Sequence, residues 1–260
     1  MTAPRKARPV AVGPATTVAA ARRAALSEAL DQIVANAPGS VTGRNPEYLH
    51  QLRVGARRLR AALRVFRGTM READVRTLRR RLRKLAEVTG PARDWDVYSR
   101  KRPAARRRRV AAYAALRRVL AGMQLWLLPR PNLRAKLALP EFARGVLEEL
   151  DRGALRKGAR MDWTRAKTRH ALRRRLRRLR YASEFVAGAF PACDREPLIL
   201  SLKALQDLLG TLNDAEVARR LARELGGSKP HREPGIRERA LIAQLPGAWR
   251  RFKAAPRFWR

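Results

Sequence analysis

The chain of 260 residues holds a single cysteine, Cys193. No disulfide can close within it, which fits a reducing cytoplasm. Acids are scarce: 22 Asp and Glu stand against 60 Lys and Arg, a net charge of +38. Aromatic residues make up 6%, and the tryptophans do not interleave with the basic runs as nucleic-acid stacking platforms do. Long apolar runs are missing as well. Leu125 to Leu128 is typical of the longest and falls far short of the roughly 20 residues that span a bilayer, so membrane insertion is not expected. The start of the chain lacks the apolar stretch of a signal peptide. There is no glycine loop ending in Gly-Lys-Ser/Thr, no His-Glu-x-x-His, and no carboxylate cluster suited to two metal ions. No catalytic residue, cofactor or metal is expected, and the sequence reads as a binding module rather than an enzyme.

What is present is a helical, strongly cationic chain. Hydrophobic residues reach 45%, enough for a core. Ala, Leu and Arg dominate and favour helix, and apolar residues recur at intervals of three and four. Gly and Pro punctuate the pattern, among them Pro38-Gly39, Gly90-Pro91, Pro103, Gly210, Gly226-Gly227 and Pro230. The expected helices are 16–36, 47–67, 71–89, 94–100, 104–127, 140–157, 162–189, 196–209, 214–225 and 236–252. Residues 1–14 read as a basic, mobile tail. A charge of +38 opposes compaction, so a strongly negative partner is expected. Arg prevails over Lys, and its planar fork grips phosphate oxygens in pairs.

An internal repeat carries the most information. His50-Gln51-Leu52-Arg53 followed by Arg57-Arg58-Leu59-Arg60 recurs as His170-Ala171-Leu172-Arg173 followed by Arg177-Arg178-Leu179-Arg180, 120 residues later. Leu82, Leu85, Gly90, Asp94 and Val97 recur at the same offset as Leu202, Leu205, Gly210, Asp214 and Val217. Two blocks in one register point to a duplicated helical unit, with halves near 16–130 and 131–255 and about four helices in each. The glycines read as helix ends, with Asp94 and Asp214 capping the helices that follow.

On a wheel of roughly 100° per residue, His50, Arg53, Arg57, Arg60 and Arg64 fall in one narrow stripe, with Leu52, Leu59 and Leu63 on the other side. The stripe is about 21 Å long at 1.5 Å per residue. In the second copy His170, Arg173, Arg177 and Arg180 share a stripe, with Tyr181 beside it. A charged helix face is ordinarily just solvated, but such faces mix signs. No acid occurs in 48–71 or 163–183, so neither stripe has a counter-ion of its own at helical spacing. A linear polyanion laid along it would supply one. The histidines, at equivalent positions among arginines, read as phosphate donors rather than metal ligands, because no second ligand lies at i, i+4. Arg83 and Lys203 hold matched positions and extend the candidate site. The run Arg106 to Arg109 has no counterpart and reads as a solvated helix start.

These residues resemble the CHAD family, the conserved-histidine α-helical domain. The likeness lies in His50-x-Leu-Arg-x-x-x-Arg-Arg-Leu-Arg, in its copy ending Leu179-Arg180-Tyr181, in Leu85 through Gly90 to Arg93-Asp94-Trp95-Asp96-Val97, and in Leu205-Gln206 through Gly210 to Asn213-Asp214. It covers nearly all of the chain after the tail, as one domain over 15–255. It implies an all-α fold, an internally duplicated pair of four-helix bundles around a basic central channel. It also implies inorganic polyphosphate as partner, bound by the two stripes with Arg58 and Arg178, and association with polyphosphate granules. The Glu-x-Glu-x-Lys signature of the triphosphate tunnel domain that many relatives carry is missing, so a stand-alone CHAD protein is expected. Nucleic acid, another phosphate polymer, is the alternative partner.

Overall fold

In the computed structural model, the described residues are 3–99, 105–121, 128–131, 137–225 and 235–260. Trp126, Pro103, Gly226-Gly227, Pro230 and most of the Leu125–Leu128 run lie outside them. The described residues form eight α-helices and no strand; the only extended pairings are isolated bridges at Thr17–Ala138 and Met70–Pro131. The fold is all-α.

The helices are α1 (Val18–Thr42), α2 (Pro46–Val65), α3 (Glu72–Ser99), α4 (Arg106–Ala121), α5 (Leu139–Ala159), α6 (Ala166–Val186), α7 (Ala192–Glu224) and α8 (Ile236–Ala254). The chain divides into two compact units. Described residues within Met1–Val12 and Thr16–Ala138 form the first, and those within Gly13–Ala15 and Leu139–Arg260 the second. In the first unit α1 packs on α2 and α4, and α3 packs on α2 and α4. In the second unit α5 packs on α6, α6 on α7 and α7 on α8. Pro46, the 3-10 turn at Arg67 and Glu72 begin successive elements of the first unit. Ala166, the 3-10 turn at Ala187 and Ala192 begin their counterparts 120 residues later.

Local chemistry sets these boundaries. Asn45 accepts from the Glu47 backbone N–H, and Pro46 fills the first helical position, where no amide donor is needed. Along α2 the fully buried Leu49, Leu52, Leu59 and Leu63 recur at helical spacing, each contributing about 1.5–3 kcal/mol by leaving water. Gly43, the only residue with positive φ among those described (65°), closes α1. Close approach requires two other glycines. A Cβ on Gly39 would sit 2.3 Å from the Tyr48 ring, and one on Gly158 would sit 2.1 Å from the Trp249 ring.

The structure corrects four expectations. Gly90-Pro91 and Gly210 do not end helices: α3 and α7 run through both, so Asp94 and Asp214 are helix-interior residues and not caps. Pro91 removes one donor, while buried Leu82, Leu85 and Ala92 on either side keep α3 packed. Pro38-Gly39 likewise lies inside α1. The stretch expected as a mobile tail is tied down in its described part. The Arg5 guanidinium pairs with Glu28 at 2.7 Å, Arg5 N–H donates to Asn36 Oδ1, Asn36 Nδ2 donates to the Arg5 carbonyl, and Val10 is buried. Finally, Arg109 is not a solvated residue. It donates to Asp96 at 2.8 Å and to the Gly43 carbonyl at 2.6 Å, while Tyr113 donates its hydroxyl proton to the same buried Asp96. Burial and the Asp96 carboxylate push the Tyr113 phenol pKa up.

Candidate functional site: two arginine rows headed by histidine

In the first unit the row on α2 lies against α3, and arginines lace the two helices together. Arg53 donates to the carbonyls of Thr89 and Gly90, the latter at 2.9 Å. Arg60 donates to the Leu82 carbonyl at 2.8 Å. In the other direction, Arg79 donates to Leu63 at 3.4 Å and Arg93 to Pro46 at 3.3 Å. Gly90 contributes its carbonyl here rather than its lack of a side chain. A Cβ there would meet Arg53 Nη1 at 3.8 Å, an ordinary van der Waals contact, and one on Gly210 would meet Arg173 Nη2 at the same distance.

Crowding of like charge is visible in the acid–base behaviour. Burial, then Arg57 and Arg93, push the Arg53 pKa down to about 10, against a pull from Asp94. Burial, Arg83 and Arg57 lower that of Arg60. Burial and Arg93 lower that of His50, with Glu47 opposing and Arg57 and Arg53 adding. Arg57 therefore acts on three members of the row, and its own Nε is buried without a hydrogen-bond partner. Such a cluster stores unfavourable free energy that an anion would release.

The structure thus gathers His50, Arg53, Arg57, Arg60 and Arg83, and leaves Arg64 and Arg83 exposed. It takes Arg58 out of the group: that side chain is buried and donates to the Arg8 carbonyl at 3.2 Å. In the second unit Arg173, Arg177, Arg178 and Arg180 are partly exposed, while His170 and Lys203 are exposed. Tyr181 is buried in the core, stacked on Phe185 at 6.5 Å, and touches the row only through the Arg180 guanidinium, 5.2 Å from its ring centre. Arg180 also has a counter-ion, Glu184 at 3.4 Å, one turn on and just past the acid-free stretch.

Sequence reasoning missed the partners of the histidines. Arg93 lies beside His50, and at the matched position Asn213 lies 3.2 Å from His170 Nδ1 through its Oδ1. The signal was available, since both residues keep the 120-residue register. A pocket of about 210 Å³ at the head of α2 is lined by Pro46, Glu47 and Arg93, and one of about 280 Å³ at the head of α6 by Ala166, Lys167 and Asn213 among others. Among the described residues no group of three His, Cys, Asp or Glu gathers as a metal site, and no helix is long and apolar enough to cross a membrane.

The fold and these rows define an all-helical domain with a histidine-headed arginine helix in each unit. The family model for the CHAD domain matches residues 24–223, and the chain belongs to that family. It is similar to the crystal structure of the CHAD domain from the plant Ricinus communis, with 28% identity and a TM-score of 0.74, covering 98% of this chain and 99% of that one. It is also similar in fold to PptA from Streptomyces chartreusis, with 17% identity and a TM-score of 0.57, covering 94% and 96%. No curated protein matches the chain.

Proposed function

We propose that this protein binds inorganic polyphosphate through the arginine rows of α2 and α6, at polyphosphate granules in the cytoplasm, as a binding module without catalytic activity. The observation that carries this reading is the mutual crowding of Arg53, Arg57, Arg60 and Arg83 beside His50, guanidinium groups that outnumber the acids beside them. A phosphate polymer supplies regularly spaced anionic oxygens, and Arg forks accept them in pairs. Family membership supports the same partner. Two rows on one polypeptide raise each other's effective concentration for a long chain.

Nucleic acid is the weaker reading. Reading bases or gripping single strands calls for exposed aromatic platforms, whereas Trp95, Trp249 and Trp259 are buried and Trp163 lies against Trp249, with ring centres 6.3 Å apart. Competition at fixed salt tests the choice: labelled long-chain polyphosphate is bound first, then unlabelled polyphosphate, DNA or RNA is added at equal phosphorus. Polyphosphate is expected to displace the label at far lower concentration. Equal displacement by nucleic acid would reject the assignment.

A further inference from the structure

The two pockets at the heads of the rows occupy matched places but differ in charge. In the first unit the pocket is lined by Asn45, Pro46, Glu47, Arg93 and Val97. Its acid, Glu47, accepts from Gln51 Nε2 at 2.7 Å. In the second unit the position of Glu47 is taken by Lys167, that of Val54 by Arg174, and that of Arg93 by Asn213. All three replacements line the larger pocket with His170. The head of the first row thus places a carboxylate where the head of the second places an ammonium.

The remaining groups of the second pocket are already engaged. Arg169 is buried and donates to the carbonyls of Trp163, at 2.8 Å, and Thr164, at 2.5 Å. Glu216, the one acid in the lining, lies 3.8 Å from Arg169 and 3.5 Å from Arg219. Leu209 and Leu212 are buried side chains of the floor. Lys167, His170 and Arg174 are exposed around the opening. Asn213 Oδ1 is an acceptor beside His170 Nδ1, so an anion meets a second N–H, at Nε2, only on the ring protonated at both nitrogens. At about 280 Å³ the pocket has room for a phosphate group.

The terminal phosphate of a polyphosphate chain has the matching chemistry. A phosphate linked on one side only carries about −1.5 to −2 near neutral pH, as in a phosphoserine. An internal phosphate, linked on both sides, keeps a single anionic oxygen. An end therefore calls for more cation in less space than the middle of the chain does. We propose that the pocket beside His170 holds the terminal phosphate of a polyphosphate chain, so that the polymer leaves it along Arg173, Arg177 and Arg180 with a defined direction. The first turn of α6 contains no acid, so its amide dipoles add to the attraction. The equivalent pocket of the first unit does not take an end, because Glu47 stands in it. This inference rests on polyphosphate being the partner.

The test compares linear hexaphosphate, which has two ends, with cyclic hexametaphosphate, which has none. Affinities are measured for the wild type, for Lys167→Gln/Arg174→Gln, and for Arg57→Gln/Arg177→Gln, which loses the same charge away from the pocket. The wild type is expected to prefer the linear form. The pocket variant should lower that preference by about tenfold, the worth of one charge-assisted hydrogen bond, and the row variant should weaken both ligands and keep the ratio. Equal binding of the two ligands by the wild type overturns the inference, as does an equal fall of the ratio in both variants, which would trace the preference to net charge. If neither ligand nor long-chain polyphosphate binds the wild type, the proposed function itself fails.

Discussion

Replacing Arg57 by Gln should stabilise the ligand-free protein and weaken its response to polyphosphate. Arg57 sits between Arg53 and Arg60, lowers the pKa of both and of His50, and buries an Nε that no acceptor meets. An unsatisfied buried donor costs about 1–3 kcal/mol. Repulsion from the two neighbouring guanidinium groups adds roughly 0.5 kcal/mol each, half of what two charges at 4 Å feel in water. Gln has a similar helix propensity but must place its own amide, so a net gain of about 1–2 kcal/mol is expected. At roughly 2–4 °C per kcal/mol for a protein of this size, the melting temperature should rise by about 2–8 °C. With polyphosphate an opposing effect offsets this gain. Without one charge-assisted hydrogen bond to the polymer, binding weakens about tenfold, and the stabilisation at saturating ligand falls by about 1.4 kcal/mol. Thermal unfolding of wild type and Arg57→Gln, with and without long-chain polyphosphate, reads both effects. A lower melting temperature in the free variant, or an unchanged ligand-induced shift, would refute the reasoning.

Three further outcomes concern other parts of the molecule. The pKa of His50 is held below the ordinary imidazole value in the folded state, so the unfolded chain takes up the proton first as pH falls. Stability should therefore decline below about pH 6.5, polyphosphate binding in that window should draw a proton onto His50, and His50→Gln should remove the uptake seen by calorimetry in two buffers. Arg257 pairs in bidentate fashion with the fully buried Asp151, both distances being 3.0 Å, so Arg257→Ala should cost about 3–5 kcal/mol in denaturant unfolding by leaving a buried charge with only the looser Arg260 contact, at 3.7 Å, among the described residues. Gly158→Ala should destabilise by about 1–3 kcal/mol through collision with Trp249, whereas Gly145→Ala, on the same helix with nothing within 4 Å, should stabilise by up to about 1 kcal/mol.

The all-α fold, most helix starts and the two arginine rows were legible in the sequence because they rest on periodicity. Apolar spacing gives a helix over 47–67 where α2 runs Pro46–Val65, and the 120-residue register carries over to the helix starts. The misreadings share a cause: distant packing and hydrogen bonds outweighed local signals. Gly90-Pro91 is a strong local breaker, yet α3 continues because Leu82, Leu85 and Ala92 are buried. Arg58 entered the candidate site through the family resemblance, and nothing in the sequence says that the Arg8 carbonyl meets its side chain. Reading residues 1–14 as a tail and Arg58 as a ligand were one error. The helical wheel placed Tyr181 beside the row, and the structure buries its ring in the core against Phe185, with the Arg180 guanidinium over it.

The most direct test is the salt dependence of polyphosphate binding by the wild type and by a variant carrying Arg57→Gln, Arg60→Gln, Arg177→Gln and Arg180→Gln. If the rows grip the polymer, log affinity should fall linearly with log salt in the wild type, and the slope should flatten by roughly 0.7–0.9 for each phosphate that is no longer neutralised, as for other phosphate polymers. The variant should keep its helical content while its affinity drops by orders of magnitude. A slope and an affinity that are the same in both proteins would contradict the account.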